Sequence, residues 1–339
     1  MATKGRPKWI NWQQPMKNVL IACAPLMVAA IYFFGWRVLA MATIVAIAGY
    51  ITEAVFTRRW NEPVTSAVFV SSVLFTFSLP PTLPFWIAVV GIIFGILFGK
   101  MVYGGFGRNI FNPALTGRAF IYISFGKQMT GAWYTPWTDF PGGFAKWGWT
   151  VSSAAKAKVD VITTATPGSL LRMSAESLAE RGVDLSGFKI WDFLFGNCAG
   201  VIGGTSAILI IICGLYLLWK KTSNYRIVVS GFAGYAVAQT IFWYFNMGNA
   251  LDPLHAVVAN GVLLGIFFYA TDPVTASQTN PGRWYYGAFV GVMSSVIATF
   301  SAWPAGTMFA VLLGNMFAPI ADYAIRMLQQ KRSVKAVAA

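Results

Sequence analysis

Residues 83–113 read LPFWIAVVGIIFGILFGKMVYGGFGRNIFNP. The part from Leu83 to Tyr103 is long and apolar enough for a helix that crosses a bilayer, which takes about 20 residues. It ends in Gly104-Gly105-Phe106-Gly107, followed by Arg108-Asn109 and Asn112-Pro113. Three glycines, then a proline after an asparagine, do not carry a regular helix onward. Irregular backbone at membrane depth survives only inside protein or along a cavity. This stretch therefore predicts an all-α polytopic membrane protein with broken helices. The loop has two readings. Its backbone suits a quinone carbonyl or a flavin edge, and Arg108 and Asn112 beside it favour a site; close helix packing at small residues is the alternative.

The rest of the chain has the same character. Of 339 residues, 57% are hydrophobic and only 11% charged, against about 25% charged in an ordinary soluble domain. That argues against a soluble enzyme. The balance of 25 basic and 11 acidic residues gives +14, but the basic residues cluster between apolar runs, which is the positive-inside pattern and not a nucleic-acid face. Ten candidate spans lie near 18–35, 37–56, 64–80, 83–103, 109–125, 191–219, 226–246, 253–270, 284–302 and 305–325, the third and fifth short or polar-interrupted. Lys4, Arg6, Lys8 and Lys17 precede the first span, Arg58 and Arg59 follow the second, Lys220, Lys221 and Arg226 follow the sixth, and Lys331, Arg332 and Lys335 end the chain. An even number of spans puts all four clusters on one side, read as cytoplasmic. The expected organisation is a cytoplasmic segment 1–17, membrane halves 18–125 and 191–325, an external segment 126–190 and a cytoplasmic tail 326–339. The external segment holds seven basic and five acidic residues, and long segments cross whatever their charge.

The two membrane halves echo each other. Asn109-Ile110-Phe111-Asn112-Pro113 matches Asn315-Met316-Phe317-Ala318-Pro319, and Pro81 and Gly91 match Pro281 and Gly291. Five spans separate the copies, so the second is inverted, and inverted repeats place sites at broken helices near the midplane. Chance similarity of apolar segments is the alternative.

Few polar residues interrupt the apolar runs. Asp272, in Ala270-Thr271-Asp272-Pro273, ends a span at the unfavourable end of the helix dipole, so a cation, a helix N-terminus or a flavin N–H is expected beside it. Asp322 and Glu53 are further intramembrane carboxylates. With Asp272 they are the candidates for an ion pathway; interfacial solvation is the alternative, preferred for Glu53. Gly203-Gly204-Thr205-Ser206 opens an apolar run and reads either as an anion-facing helix start or as an ordinary N-cap. His255, beside Asp252, reads as a hydrogen-bond partner at a loop end. Cys23, Cys198 and Cys213 have no metal-ligand spacing, and no metal site is expected. No dinucleotide fingerprint or iron–sulfur cysteine set is present.

The external segment presents Thr166 before Pro167, in extended geometry and among small neighbours. The motif Asp160-x-x-Thr163-x-Ala165-Thr166 resembles the sequence recognised by an exported flavin transferase, which joins FMN to the last threonine through a phosphoester. From about residue 18 to 330 the chain closely resembles the B subunit of the sodium-translocating NADH:quinone oxidoreductase. The stretches 104–120, 270–277 and 313–319 carry the likeness. The D subunit of the Rnf complex is the nearest relative family, and the wording of 108–116 and 276–280 favours the former. The resemblance implies membership of a bacterial inner-membrane complex, with ten helices in two inverted five-helix repeats similar to urea transporters. It implies FMN on Thr166, riboflavin within the membrane part, and quinone (ubiquinone or menaquinone) reduced near Gly104 and Gly105. Asn112, Arg118 and Asp272 are candidate flavin contacts, chosen for their polarity at broken helices. Sodium (or proton) transport, other subunits of the complex and membrane lipid are the implied partners. Gly204 stands where many relatives carry an acidic residue, which bears on sodium coupling more than on electron transfer. A urea-transporter-type channel without redox function would share the repeat but would not need the motif 160–166.

Overall fold

A bilayer offers no water to backbone N–H and C=O groups, so apolar runs must satisfy them internally as helices. The structure, a computed structural model, describes residues 9–130, 136–148, 190–248, 250–301 and 306–338. They form two units, residues 1–109 with 113–222, and residues 110–112 with 223–339.

In the first unit, α1 (Gln14–Phe34) and α2 (Arg37–Arg59) match the first two expected spans. A two-residue strand β1 (Ile10–Asn11) before α1 pairs in parallel with β2 (Val64–Thr65) after α2. The third and fourth spans are α3 (Ala67–Phe77) and α4 (Phe85–Ile96), the latter running into a π-helical turn, Leu97–Met101. The fifth span is the 12-residue α5 (Pro113–Ser124). A short α6 (Gly126–Thr130) and a 3-10 turn (Gly142–Ala145) follow, and then α7 (Ile190–Phe195) and α8 (Ala207–Trp219).

The break after α3 shows how non-helical backbone is kept at depth. Pro80, Pro81 and Pro84 prevent the helix from continuing. The carbonyls released there are taken by groups distant in sequence. Gly203 donates its N–H to Phe77 O at 2.9 Å and Ile202 donates to Leu79 O at 3.0 Å. Arg37, 5% exposed, donates to the carbonyls of Pro81 and Leu83. A Cβ on Gly203 would run into the Phe77 side chain. The expected span 191–219 is corrected by this arrangement: it is two helices, α7 and α8, separated by the turn that binds the end of α3. Ser206 is an ordinary N-cap there, accepting from Leu209 N at 3.5 Å and donating to Leu194 O at 3.1 Å.

The second unit contains α9 (Tyr225–Tyr244), α10 (Pro253–Ala259), α11 (Val262–Leu264) with a π-helical turn Gly265–Tyr269, α12 (Asn280–Phe300) and α13 (Gly306–Ala338). Four helical stretches among the described residues are long and apolar enough to cross a membrane: 14–34, 37–59, 225–244 and 306–331. The remaining expected spans are shorter, interrupted or more polar helices.

Small residues let helices meet backbone to backbone, which is how helices associate where lipid removes the hydrophobic drive. On α4 and the π-helical turn that continues it, Gly91, Gly95 and Gly99 form one stripe against α5. A Cβ on Gly99 would lie 2.8 Å from Pro113 Cα, one on Gly95 would meet Pro113 O, and one on Gly117 would meet Gly91 O. In the second unit, Gly287 and Gly291 of α12 press on Ile227 and Gly231 of α9, and Gly234 meets Ala288 O. Gly91 and Gly291, the echoed pair, both lie in helix seams, but a Cβ on Gly91 would meet the side chains of Ile121 and Phe75, whereas one on Gly291 would meet the backbone of Gly231 and Tyr235. The echoed Asn-x-Phe-x-Pro motif differs too: Pro113 begins a helix, whereas Pro319 lies inside one.

Candidate functional site

In the first unit the glycine loop leaves the π-helical turn at Met101. Gly104, Gly105 and Gly107 have φ of +99°, +93° and +85°, a region that side chains rarely enter. Gly105 donates its N–H to Lys100 O at 3.2 Å, and a Cβ on it would stand 3.3 Å from the Trp60 ring. Beneath the loop lies a buried ion pair. Lys100 Nζ is 2.6 Å from Glu53 Oε2, with the two side chains 2% and 1% exposed. Lys100 also donates to Thr65 Oγ1 at 2.7 Å, and Glu53 Oε1 accepts from Thr65 N at 2.9 Å and Thr65 Oγ1 at 2.7 Å. The Lys100 ammonium is 5.7 Å from the centre of the Phe106 ring. Solvation at the interface, preferred for Glu53 from sequence, is thereby corrected. Residues from the end of α2, from β2 and from the π-helical turn converge on it, and Lys100 neutralises it. Sequence reading missed Lys100, although a lone lysine within an apolar span is itself a signal. Arg37 was missed for the same reason. Arg118 lies on α5, buried to 5% exposure.

The second unit holds another polar cluster. Asn112 Nδ2 donates to Asp272 Oδ2 at 3.3 Å, and Asp272 Oδ1 accepts from Val274 N at 3.0 Å. Where a cation, a helix N-terminus or a flavin N–H was expected beside Asp272, a side-chain amide and a turn N–H stand there. With the Asn315 amide oriented to satisfy its surroundings, its Nδ2 donates to the Tyr286 hydroxyl (2.8 Å) and Val311 O (3.3 Å), and its Oδ1 accepts from Asn112 N (3.2 Å). Two of the three residues chosen as flavin contacts, Asn112 and Asp272, are therefore in direct contact.

Asp322, on α13, is 7% exposed and accepts four hydrogen bonds. Its Oδ1 takes Ser277 Oγ (2.5 Å), Thr279 Oγ1 (2.6 Å) and Thr279 N (3.0 Å), and its Oδ2 takes Gln278 N (2.7 Å). Thr279 is the N-cap of α12, so the carboxylate also meets the positive end of that helix. Solvation does not explain Asp322 either: it fastens the loop 272–279, whose start Asp272 turns. An Asp322→Ala variant strands several donors and is expected to destabilise the protein on the order of 3 kcal/mol, read as a lower melting temperature of the detergent-solubilised complex. Unchanged melting would contradict the fastening role.

Within the second unit, Asp272 and Asp322 hold separate hydrogen-bond sets, while Glu53 belongs to the first unit. His255 Nδ1 is 2.7 Å from Asp252 Oδ2 at the start of α10, as a loop-end partner. Among the described residues no group of three metal-ligating side chains comes together. Asp160, Thr163, Ala165 and Thr166 lie outside the described residues.

Apolar helices, glycine seams and irregular backbone held by buried polar side chains define a polytopic helical membrane protein. The chain belongs to the NQR2, RnfD, RnfE family, whose model matches residues 7–331. It is 33% identical over 330 residues to the D subunit of the ion-translocating oxidoreductase complex of Salmonella paratyphi A, covering 92% of each chain. The D subunit of Salmonella arizonae matches to the same extent, at 33% and 92% of each chain. The B subunit of the Na(+)-translocating NADH-quinone reductase of Haemophilus influenzae is 35% identical over 290 residues, 83% of this chain and 65% of that one.

Proposed function

We propose that this chain is the flavin-bearing membrane subunit of a multisubunit, ion-translocating NADH:quinone oxidoreductase of the bacterial inner membrane. Family membership together with the motif Asp160-x-x-Thr163-x-Ala165-Thr166 carries the reading. FMN is esterified to Thr166 in an external segment 126–190. Ten spans in two inverted five-helix repeats, urea-transporter-like, bracket that segment, with both termini cytoplasmic. Electrons arrive from a partner subunit, pass through the FMN and a riboflavin, and reach quinone at Gly104 and Gly105.

The donor set at Asn112 and Asp272 fits a riboflavin ring edge, which offers one N–H and two carbonyls: a carboxylate accepts, and an amide does both. Bound there, riboflavin supplies electron transfer, while the chain fixes its orientation and local charge. Arg118 is the remaining candidate contact. Of the carboxylates proposed for the Na+ or H+ path, Asp272 is the one that is half-buried rather than buried, which favours it over Glu53 and Asp322.

A second reading is favoured by the equal coverage of the Salmonella relatives: an Rnf-type D subunit, in a complex whose electrons end elsewhere than on quinone. Partner subunits decide between them.

The test is the intact mass of the protein expressed with its flavin transferase, followed by peptide mapping of 159–172. Added FMN on Thr166 supports the reading; no addition, with the transferase active on a control, overturns it in favour of a transporter without redox function. For the quinone site, Gly105→Val forces a β-branched side chain into φ +93° against Trp60. Strain of about 1–3 kcal/mol there is expected to lower quinone turnover roughly tenfold while flavin loading stays normal. Unchanged quinone kinetics would sink the assignment.

A further inference from the structure

We propose that the buried Lys100–Glu53 pair is the positioning and electrostatic element of the quinone site, holding the glycine loop in place and turning its positive end toward it. The inference rests on the quinone reading above and deepens it.

Three observations meet at this pair. First, it fixes the launch of the loop. Lys100 lies within the π-helical turn Leu97–Met101, and its own carbonyl receives the Gly105 N–H at 3.2 Å. Such turns are rare and concentrate at functional sites. Second, the ammonium borders the loop. Thr65 of β2 joins both ends of the pair, giving its N–H and hydroxyl to Glu53 Oε1 and accepting from Lys100 at 2.7 Å. The ammonium lies 5.7 Å from the Phe106 ring centre, on the loop side. Third, it is dry, with 2% and 1% of the two side chains exposed, so its field is weakly screened.

Quinone reduction brings negative charge to a carbonyl oxygen before protons neutralise it. In the complete reaction, quinone takes two electrons from the reduced flavin of the complex and two protons from solvent to give the quinol, while the flavin returns to its oxidised form and releases its own protons to solvent. The pair exchanges no proton. Its ammonium end favours the oxygen while it is charged, and a neutral pair achieves this without leaving a lone buried cation.

A purely structural pair and an electrostatic one predict different behaviour when both charges are removed together. Replacing a buried pair by apolar residues of similar volume is often harmless to folding, whereas removing one partner is not. The experiment therefore uses the whole complex with the double variant Glu53→Met/Lys100→Met and ubiquinone-1 as the acceptor. We expect normal assembly, normal flavin content and normal NADH-driven flavin reduction, with kcat for ubiquinone-1 at least tenfold lower. Wild-type quinone turnover in the double variant overturns the proposal, leaving the pair a staple only.

If the double variant does not assemble, Lys100→Arg is compared with the reversed pair Glu53→Lys/Lys100→Glu. The first keeps positive charge under the loop and should keep turnover; the second puts a carboxylate there and should lose it. Equal turnover in the two overturns the proposal. Gly105→Val, assayed alongside, separates the layers. If it slows quinone reduction while the double variant does not, the pair proposal alone fails. If it leaves quinone kinetics unchanged, the quinone reading fails and takes this inference with it.

Discussion

A Thr166→Ala variant, expressed with its flavin transferase, is expected to carry no covalent flavin at all. The phosphoester needs a hydroxyl at that position, and alanine has none. In-gel fluorescence on this protein should vanish, and NADH-driven quinone reduction should fall to background, because the chain of carriers loses a member. The helices neither contain nor depend on this residue in the proposed organisation, so the variant should still assemble and elute as the wild type does. Thr166→Ser retains a hydroxyl and is the informative control: partial flavin loading is expected. Fluorescence persisting on the alanine variant would place the flavin on another residue and refute the motif reading.

Glu53→Ala is expected to cost about 3–5 kcal/mol of stability, the usual result of leaving one partner of a buried pair behind. Lys100 is 2% exposed, and removing Glu53 takes away its 2.6 Å ion-pair partner. The Thr65 N–H and hydroxyl lose their acceptor as well. A steep drop in melting temperature and in recovered complex should follow, well beyond that of a surface Glu62→Ala control. Equal stability of the two variants would show that water or another group reaches the Lys100 ammonium.

How much of this was legible in the sequence depended on how local the cause was. The break after Tyr103 was readable because glycines and a proline act on their own backbone. Asn112 and Asp272 were each picked out as polar residues at interrupted helices, but their contact with one another was not, because it joins positions 160 residues apart. Glu53 was misjudged because its burial is set by residues far along the chain, Thr65 and Lys100, and a helix end looks solvated until something covers it. Likewise the span 191–219 read as one apolar run, yet Gly203 bonds Phe77 across 126 positions of sequence, and that bond needs a turn. Arg37 illustrates the same limit: its two carbonyl partners exist only because the prolines after α3 free them. The reading of the motif at 160–166 rests on a resemblance and not on physics, and it lies outside the described residues.

The glycine seam between α4 and α5 has a consequence for how this protein can change over time. At Gly95, Gly99 and Gly117 an added methyl group meets the neighbouring backbone rather than a movable side chain, so no compensating substitution nearby can make room. Drift is closed at these positions, whereas exposed apolar ones such as Ile47 and Ile51 of α2 can exchange one apolar side chain for another. In a saturation library selected for function, the α4–α5 face should stand out as a nearly blank column in which only glycine is recovered.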